Sequence, residues 1–149
     1  MIIDVNELFK MVSILMKHEL SKLQISLNIQ NNSPYNVKIH GNINSLIQVV
    51  NNIVSNAIQA SENATIRTID LNANYTDSKI IISITDHGTG IPDNIKEDLL
   101  KKMVTTKGKN GTGLGLFMSY SNVKAHFNGD ITFESELGKG TTFNITIPV

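Results

Sequence analysis

Apolar residues recur at helical spacing from the start of the chain. Val5, Leu8, Val12, Leu15, Met16, Leu20 and Leu23 share one face, and Asp4 with Glu7 forms the capping-box pattern that opens a helix. The period then drops to two: Ile25, Leu27 and Ile29 alternate with polar residues, NNSPYN turns the chain, and Val37 to His40 reads as a second short strand. Asn42 caps a second helix with Leu46, Val49, Val50, Ile53, Ala57 and Ile58 on one broad face. Ile69, Leu71, Ala73 and Tyr75, the turn TDS, and Ile80, Ile82 and Ile84 predict a hairpin that leaves through DHGTGIP. A short helix from about Asp93 to Met103 gives way to VTTKGKNGTGLGL, whose glycine density predicts a mobile loop feeding a helix that runs to Asn128. Ile131 and Phe133, the turn ELGKG, and Phe143, Ile145 and Ile147 make a closing hairpin.

Summed, this order predicts the α+β class. The expected architecture is a two-layer sandwich with three main helices on one face of a mixed, mostly antiparallel sheet, and residues 1–149 forming one domain. A doubly wound nucleotide fold needs alternating strand–helix–strand units, which closely spaced hairpins do not supply. Charge narrows the function. Thirteen basic residues balance thirteen acidic ones, so no global positive field gathers nucleic acid. No stretch reaches the roughly 18 apolar residues of a membrane span, so no direct membrane contact is expected of this domain. Cysteine is absent, which removes disulfides and thiolate sites and fits a cytoplasmic setting.

Four constellations carry candidate chemistry. Asn52 and Asn56 lie one helical turn apart at the edge of the second helix, and an amide oxygen there suits a hard cation such as magnesium. In DHGTGIP, Asp86 ends an apolar strand with Gly88 and Gly90 behind it, a pattern in which a carboxylate accepts from an exocyclic amine while glycines admit a flat ring. In GTGLGL, the backbone amides of Gly111, Thr112, Gly113, Leu114 and Gly115 open a helix and suit phosphate, with Lys107 upstream in the same loop. In GKGTTF, the glycines make a tight turn and Thr141 points a hydroxyl at the same region. Each alone has an ordinary reading, as a local hydrogen bond, a turn or a solvated lysine.

Together, and in this order, the four motifs resemble the ATP-binding catalytic domain of sensor histidine kinases, within the gyrase, heat-shock chaperone, histidine kinase and mismatch-repair ATPase superfamily. The resemblance spans almost the whole chain. It implies ATP and Mg2+ as cofactors, with Asn56 as the metal ligand and Asp86 as the reader of adenine. Gly88 and Gly90 would shape the adenine floor, and Thr141 would support Asp86 through water. Asn52 with Lys107 would act on the phosphates, beside the amides of Gly111 to Gly115. It also implies transfer of the γ-phosphoryl group to a histidine on a separate helical dimerisation and phosphotransfer domain, with a response regulator downstream and a parent protein whose membrane anchoring is open.

Hydrolysing branches of the superfamily place glutamate where this chain has Asn52, and asparagine cannot act as general base toward water. His18 lies only 38 positions before Asn56, inside the first helix, and is rejected as a phosphoacceptor. Leu100, Met103 and Val104 stand where relatives often carry phenylalanine, Gln59 where many carry a basic residue, and His87 where Asn or Asp is common. An anti-sigma serine kinase of the same fold and a non-catalytic ATP-binding regulatory module are the alternatives.

Overall fold

The computed structural model describes residues 1–104 and 113–149, and in residues 102–104 and 113–114 the backbone path alone. Eleven elements follow in the order β1 (Ile2–Ile3), α1 (Val5–Lys22), β2 (Ser26–Asn31), β3 (Ile39–His40), α2 (Ile43–Ala60), β4 (Thr68–Thr76), β5 (Lys79–Asp86), α3 (Asp93–Val104), α4 (Gly113–Phe127), β6 (Asp130–Glu136) and β7 (Gly140–Pro148). The main sheet has the order β2-β4-β5-β7-β6, with β2 parallel to β4 and every other pair antiparallel. Parallel neighbours need a crossover, and α2 provides it. The α+β sandwich expected from the element order is the fold observed.

Local chemistry accounts for the element ends. Asp4 caps α1 by accepting from the Asn6 amide at 2.8 Å, and Asn42 caps α2 by accepting from Asn44 and Ser45. Asp77 and Ser78 both take positive φ, as a two-residue hairpin loop requires, and join β4 to β5. The covered face of the sheet carries Ile69, Leu71, Ala73, Ile80, Ile82, Ile84, Ile145 and Ile147, all buried. The open face carries hydroxyls and amides paired across strands, such as Ser83 with Asn144 and Thr85 with Thr142. Helix α2 lies between α1 and α4, so Ile47 and Val54 are buried beyond its expected face.

Two expectations need correction. The segment ending at His40 does not join the main sheet: Ile39–His40 pairs with Ile2–Ile3 in a separate two-stranded ribbon, and a two-residue β1 is too short to show as a periodicity. Leu15 is exposed while Phe9 is buried. A helix of 3.6 residues per turn drifts by about 20° per heptad, so Leu15 falls further from the core than Leu8 and Phe9 turns onto the face. Among the described residues no helix is long and apolar enough to cross a membrane.

Arg67, the only arginine, ties three segments together. Its guanidinium donates to the carbonyls of Ser61, Glu62 and Ala64 just beyond α2, and to the Leu23 carbonyl at the end of α1. These oxygens follow helix ends, where backbone acceptors lack intrahelical partners. Arg67→Ala should lower stability by about 3 kcal/mol by orphaning them, seen as a fall of roughly 10 °C in Tm. Arg67→Lys should recover little, because one ammonium cannot span the fork; a melting curve in which lysine restores the wild-type Tm contradicts this.

Candidate functional site

A cavity of about 390 Å³ opens between the C-terminal half of α2, the end of β5, α3 and the start of α4. Asn56 and Asp86 both line it, together with Gly90 and Thr141 and an apolar set that includes Ile91, Ile95, Leu99, Leu116 and Phe143. The sequence motifs did not mark Ile91, Ile95 and Leu99. Their signal was the i, i+4 spacing of Ile95 and Leu99 in α3, whose first turns are otherwise polar apart from Leu100, and Ile95 is half exposed at the cavity edge. An apolar wall with few polar groups suits a flat aromatic ligand.

Asp86 is 4% exposed. Removal from water raises its pKa, and hydrogen bonds from the backbone amides of Gly88 and Thr141, with the nearby His87, only partly offset that rise. The Gly88 amide donates to Oδ1 at 2.9 Å. A buried carboxylate held by backbone amides has a fixed direction, and its uncommitted acceptor capacity favours a donor group on a ligand. His87 sits on the open face of the sheet, with Nε2 3.4 Å from Asp70.

The glycines of DHGTGIP meet protein before ligand. A Cβ on Gly88 would lie 2.1 Å from the Ala60 carbonyl oxygen, so this glycine lets the strand exit pack against the end of α2. Gly90 has φ +74° and does line the cavity, with the Glu136 carbonyl oxygen 2.2 Å from where its Cβ would stand. Both contacts hold the Asp86 loop between α2 and the β6–β7 turn.

Ser135, which no motif singled out, completes that arrangement. Its hydroxyl accepts from the Ile91 amide at 2.8 Å, lies 3.0 Å from the Gly140 carbonyl and 2.7 Å from Thr141 Oγ1. A serine has one proton and two lone pairs. All three bonds are satisfied together when Ser135 donates to Gly140 and accepts from both Ile91 and Thr141. Thr141 then offers the cavity an acceptor oxygen beside the Asp86 carboxylate, and two neighbouring acceptors favour an amine or a bridging water. Ser135 lies where the strand period gave only an alternating polar position, so its role depended on a tertiary contact with Ile91.

Asn52 is placed differently from Asn56. It lies one turn back along α2, outside the cavity, and its Nδ2 donates to Ser119 Oγ of α4 at 3.2 Å. Gly113, Leu114 and Gly115 form the first turn of α4, and Gly115 has no heavy atom among the described residues within 4 Å of a built Cβ. Lys107, Gly111 and Thr112 lie outside the described residues. Among the described residues no group of three or more His, Cys, Asp or Glu side chains could hold a metal.

Residues 41–149 match the family described as Histidine kinase-, DNA gyrase B-, and HSP90-like ATPase. Over 148 residues the chain is 35% identical to sporulation kinase C of Bacillus subtilis (strain 168), covering 98% of this chain and 33% of that protein. Its fold matches the catalytic domain of the histidine kinase ThkA with a TM-score of 0.81 and 28% identity, covering 99% of this chain and 96% of that one. It matches full-length ShkA in complex with AMPPNP with a TM-score of 0.79 and 25% identity, covering 99% of this chain and 30% of that one. The chain spans about a third or less of the length of the curated relatives it matches.

The pKa of Asp86 is higher in the folded protein than in the unfolded chain, so the native state holds this proton more tightly. Its contribution to stability is therefore present at low pH and is lost as the pH rises through the folded value. Asp86→Asn, which fixes the uncharged form, should raise Tm relative to wild type more at about pH 8 than at about pH 4. Thermal melts in which the variant loses ground as the pH rises contradict the assignment.

Proposed function

The chain belongs to the histidine kinase-, DNA gyrase B- and HSP90-like ATPase family, as a histidine-kinase-type catalytic domain, and from that premise we propose that it binds Mg-ATP and passes the γ-phosphoryl group to a histidine on a separate helical dimerisation domain. The observation that carries this reading is that Asp86 and Asn56 line one and the same cavity, together with the apolar side chains of Ile91, Ile95, Leu99, Leu116 and Phe143. Asp86 accepts from the exocyclic amine of adenine, and Ile91, Ile95, Leu99 and Phe143 enclose the ring. Thr141 and Asp86 together hold a bridging water.

The donor set fits magnesium. Asn56 offers a neutral amide oxygen to the cavity with no hydrogen-bond partner among the described residues, and magnesium bound with nucleotide takes few protein ligands beside phosphates and water. When bound, the ion neutralises charge that develops on the phosphates. Asn56 holds it. The amides of Gly111, Thr112, Gly113, Leu114 and Gly115, at the N-terminus of α4, and the Lys107 ammonium hold the phosphate chain.

Asn52 orients the phosphates without taking a proton from water, which favours an outside nucleophile over hydrolysis. The acceptor nitrogen bonds to the γ-phosphorus as the bond to the bridging oxygen breaks and ADP leaves. The partner is the dimerisation and phosphotransfer domain of a parent kinase, with a response regulator as the next acceptor. The domain works in the cytoplasm, and its own contribution is positioning and electrostatics.

Calorimetry with ATP should show Asn56→Ala weakening binding at least about tenfold with Mg2+ present and little with EDTA. An equal loss in both conditions would leave the metal role without support. Lys107→Ala should weaken ATP more than ADP, and label from [γ-32P]ATP should reach the histidine of the parent helical domain supplied in trans. Nucleotide binding with no transfer to that domain would favour a regulatory module over a kinase.

A further inference from the structure

Only four polar or charged residues are buried among the described residues: Ser61, Asp86, Ser119 and Thr141. Burying a polar group carries a cost unless it finds a partner. Ser61 returns its hydroxyl to the Ala57 carbonyl of its own helix at 2.8 Å, and Asp86 and Thr141 line the cavity. Ser119 is different. It is 2% exposed, sits on the face of α4 that packs on α2, and its partner is the amide of Asn52, 67 positions away in sequence.

The two helices run past one another so that Leu116 of α4 stands with Asn56 and Ala57 at the cavity, while Ser119 stands with Asn52 at a neighbouring groove of about 270 Å³. Gln48, Met118 and Asn122 continue that groove away from the cavity. The Asn52–Ser119 pair therefore lies one helical turn beyond Asn56, about 6 Å along α2, on the side away from Ala60, against which the Asp86 loop packs. An asparagine amide rotates freely about its last torsion unless something fixes it. Holding one N–H on a buried hydroxyl fixes the amide plane, so the second N–H and the oxygen of Asn52 keep a constant direction at the far end of the nucleotide site.

We propose that Ser119 is a positioning residue, whose buried hydroxyl sets the Asn52 amide and through it the terminal phosphate of the bound nucleotide. This rests on the Mg-ATP reading above. The effect is pre-organisation: Ser119 touches neither nucleotide nor metal, and it acts only through Asn52.

The test is calorimetry of the whole chain with Mg-AMPPNP and with Mg-ADP, for wild type, Ser119→Ala, Ser119→Cys, Asn52→Ala and the Asn52→Ala/Ser119→Ala pair. Wild type should bind both nucleotides. Ser119→Ala should weaken Mg-AMPPNP about threefold to tenfold, as expected for one neutral hydrogen bond, and leave Mg-ADP unchanged. Ser119→Cys, which keeps the size but accepts weakly, should fall between the two and so separates the hydrogen bond from packing. In the Asn52→Ala background the serine substitution should have no further effect. Equal weakening of both nucleotides, no weakening of either, or an undiminished effect without Asn52 overturns the positioning role while leaving the nucleotide site intact. Failure of wild type to bind either nucleotide overturns the Mg-ATP reading itself, and the two results cannot be confused.

Discussion

A carboxylate kept out of water at the end of β5 is the constraint around which the rest of the site is arranged. Asp86 is buried where three segments converge, and its pKa rises because the surroundings desolvate it more than two backbone amides compensate. Such a group is costly to an empty fold. The apolar walls around it strengthen any hydrogen bond made there.

Holding that acceptor in place recruits residues far apart in sequence. Gly88 lets the Asp86 loop touch the end of α2, Gly90 lets it touch the β6–β7 turn, and Ser135 joins Ile91 to Thr141. Arg67 fastens the same end of α2 to α1. The sheet supplies the frame: its covered face buries an isoleucine-rich layer under α2, and the register Asp86↔Thr141 sets two acceptors side by side. Along α2, Asn56, Ala57 and Ala60 line the cavity, and Asn52 lies one turn before Asn56 with Ser119.

Much of this was legible in the residue pattern, and the reasons are specific. Period-two runs such as Ile80, Ile82 and Ile84 have one buried and one open face, so the hairpins and their order could be read directly. Asn56, Asp86 and Thr141, which line one cavity, stand out in the sequence because each sits at an element end or edge beside glycine or asparagine signals. What escaped was long-range or marginal in period. The β1–β3 ribbon has two residues per strand, Leu15 lies at the border of a drifting helical face, and Ile91, Ser135 and Ser119 acquire meaning only through partners 44 to 67 positions away. The pattern DHGTGIP alone suggests glycines that make room for a ring, whereas Gly88 makes room for the Ala60 carbonyl.

The central claim is that the Asp86 carboxylate recognises the base through its exocyclic amine. The measurement that reaches it most directly is the affinity of the wild-type chain for Mg-ATP against Mg-ITP, which differ at that position by amine against carbonyl. A carbonyl oxygen facing a buried carboxylate leaves both unpaired, so Mg-ITP should bind at least about 100-fold more weakly. Equal affinities would contradict the account, because they would place the base somewhere other than against Asp86.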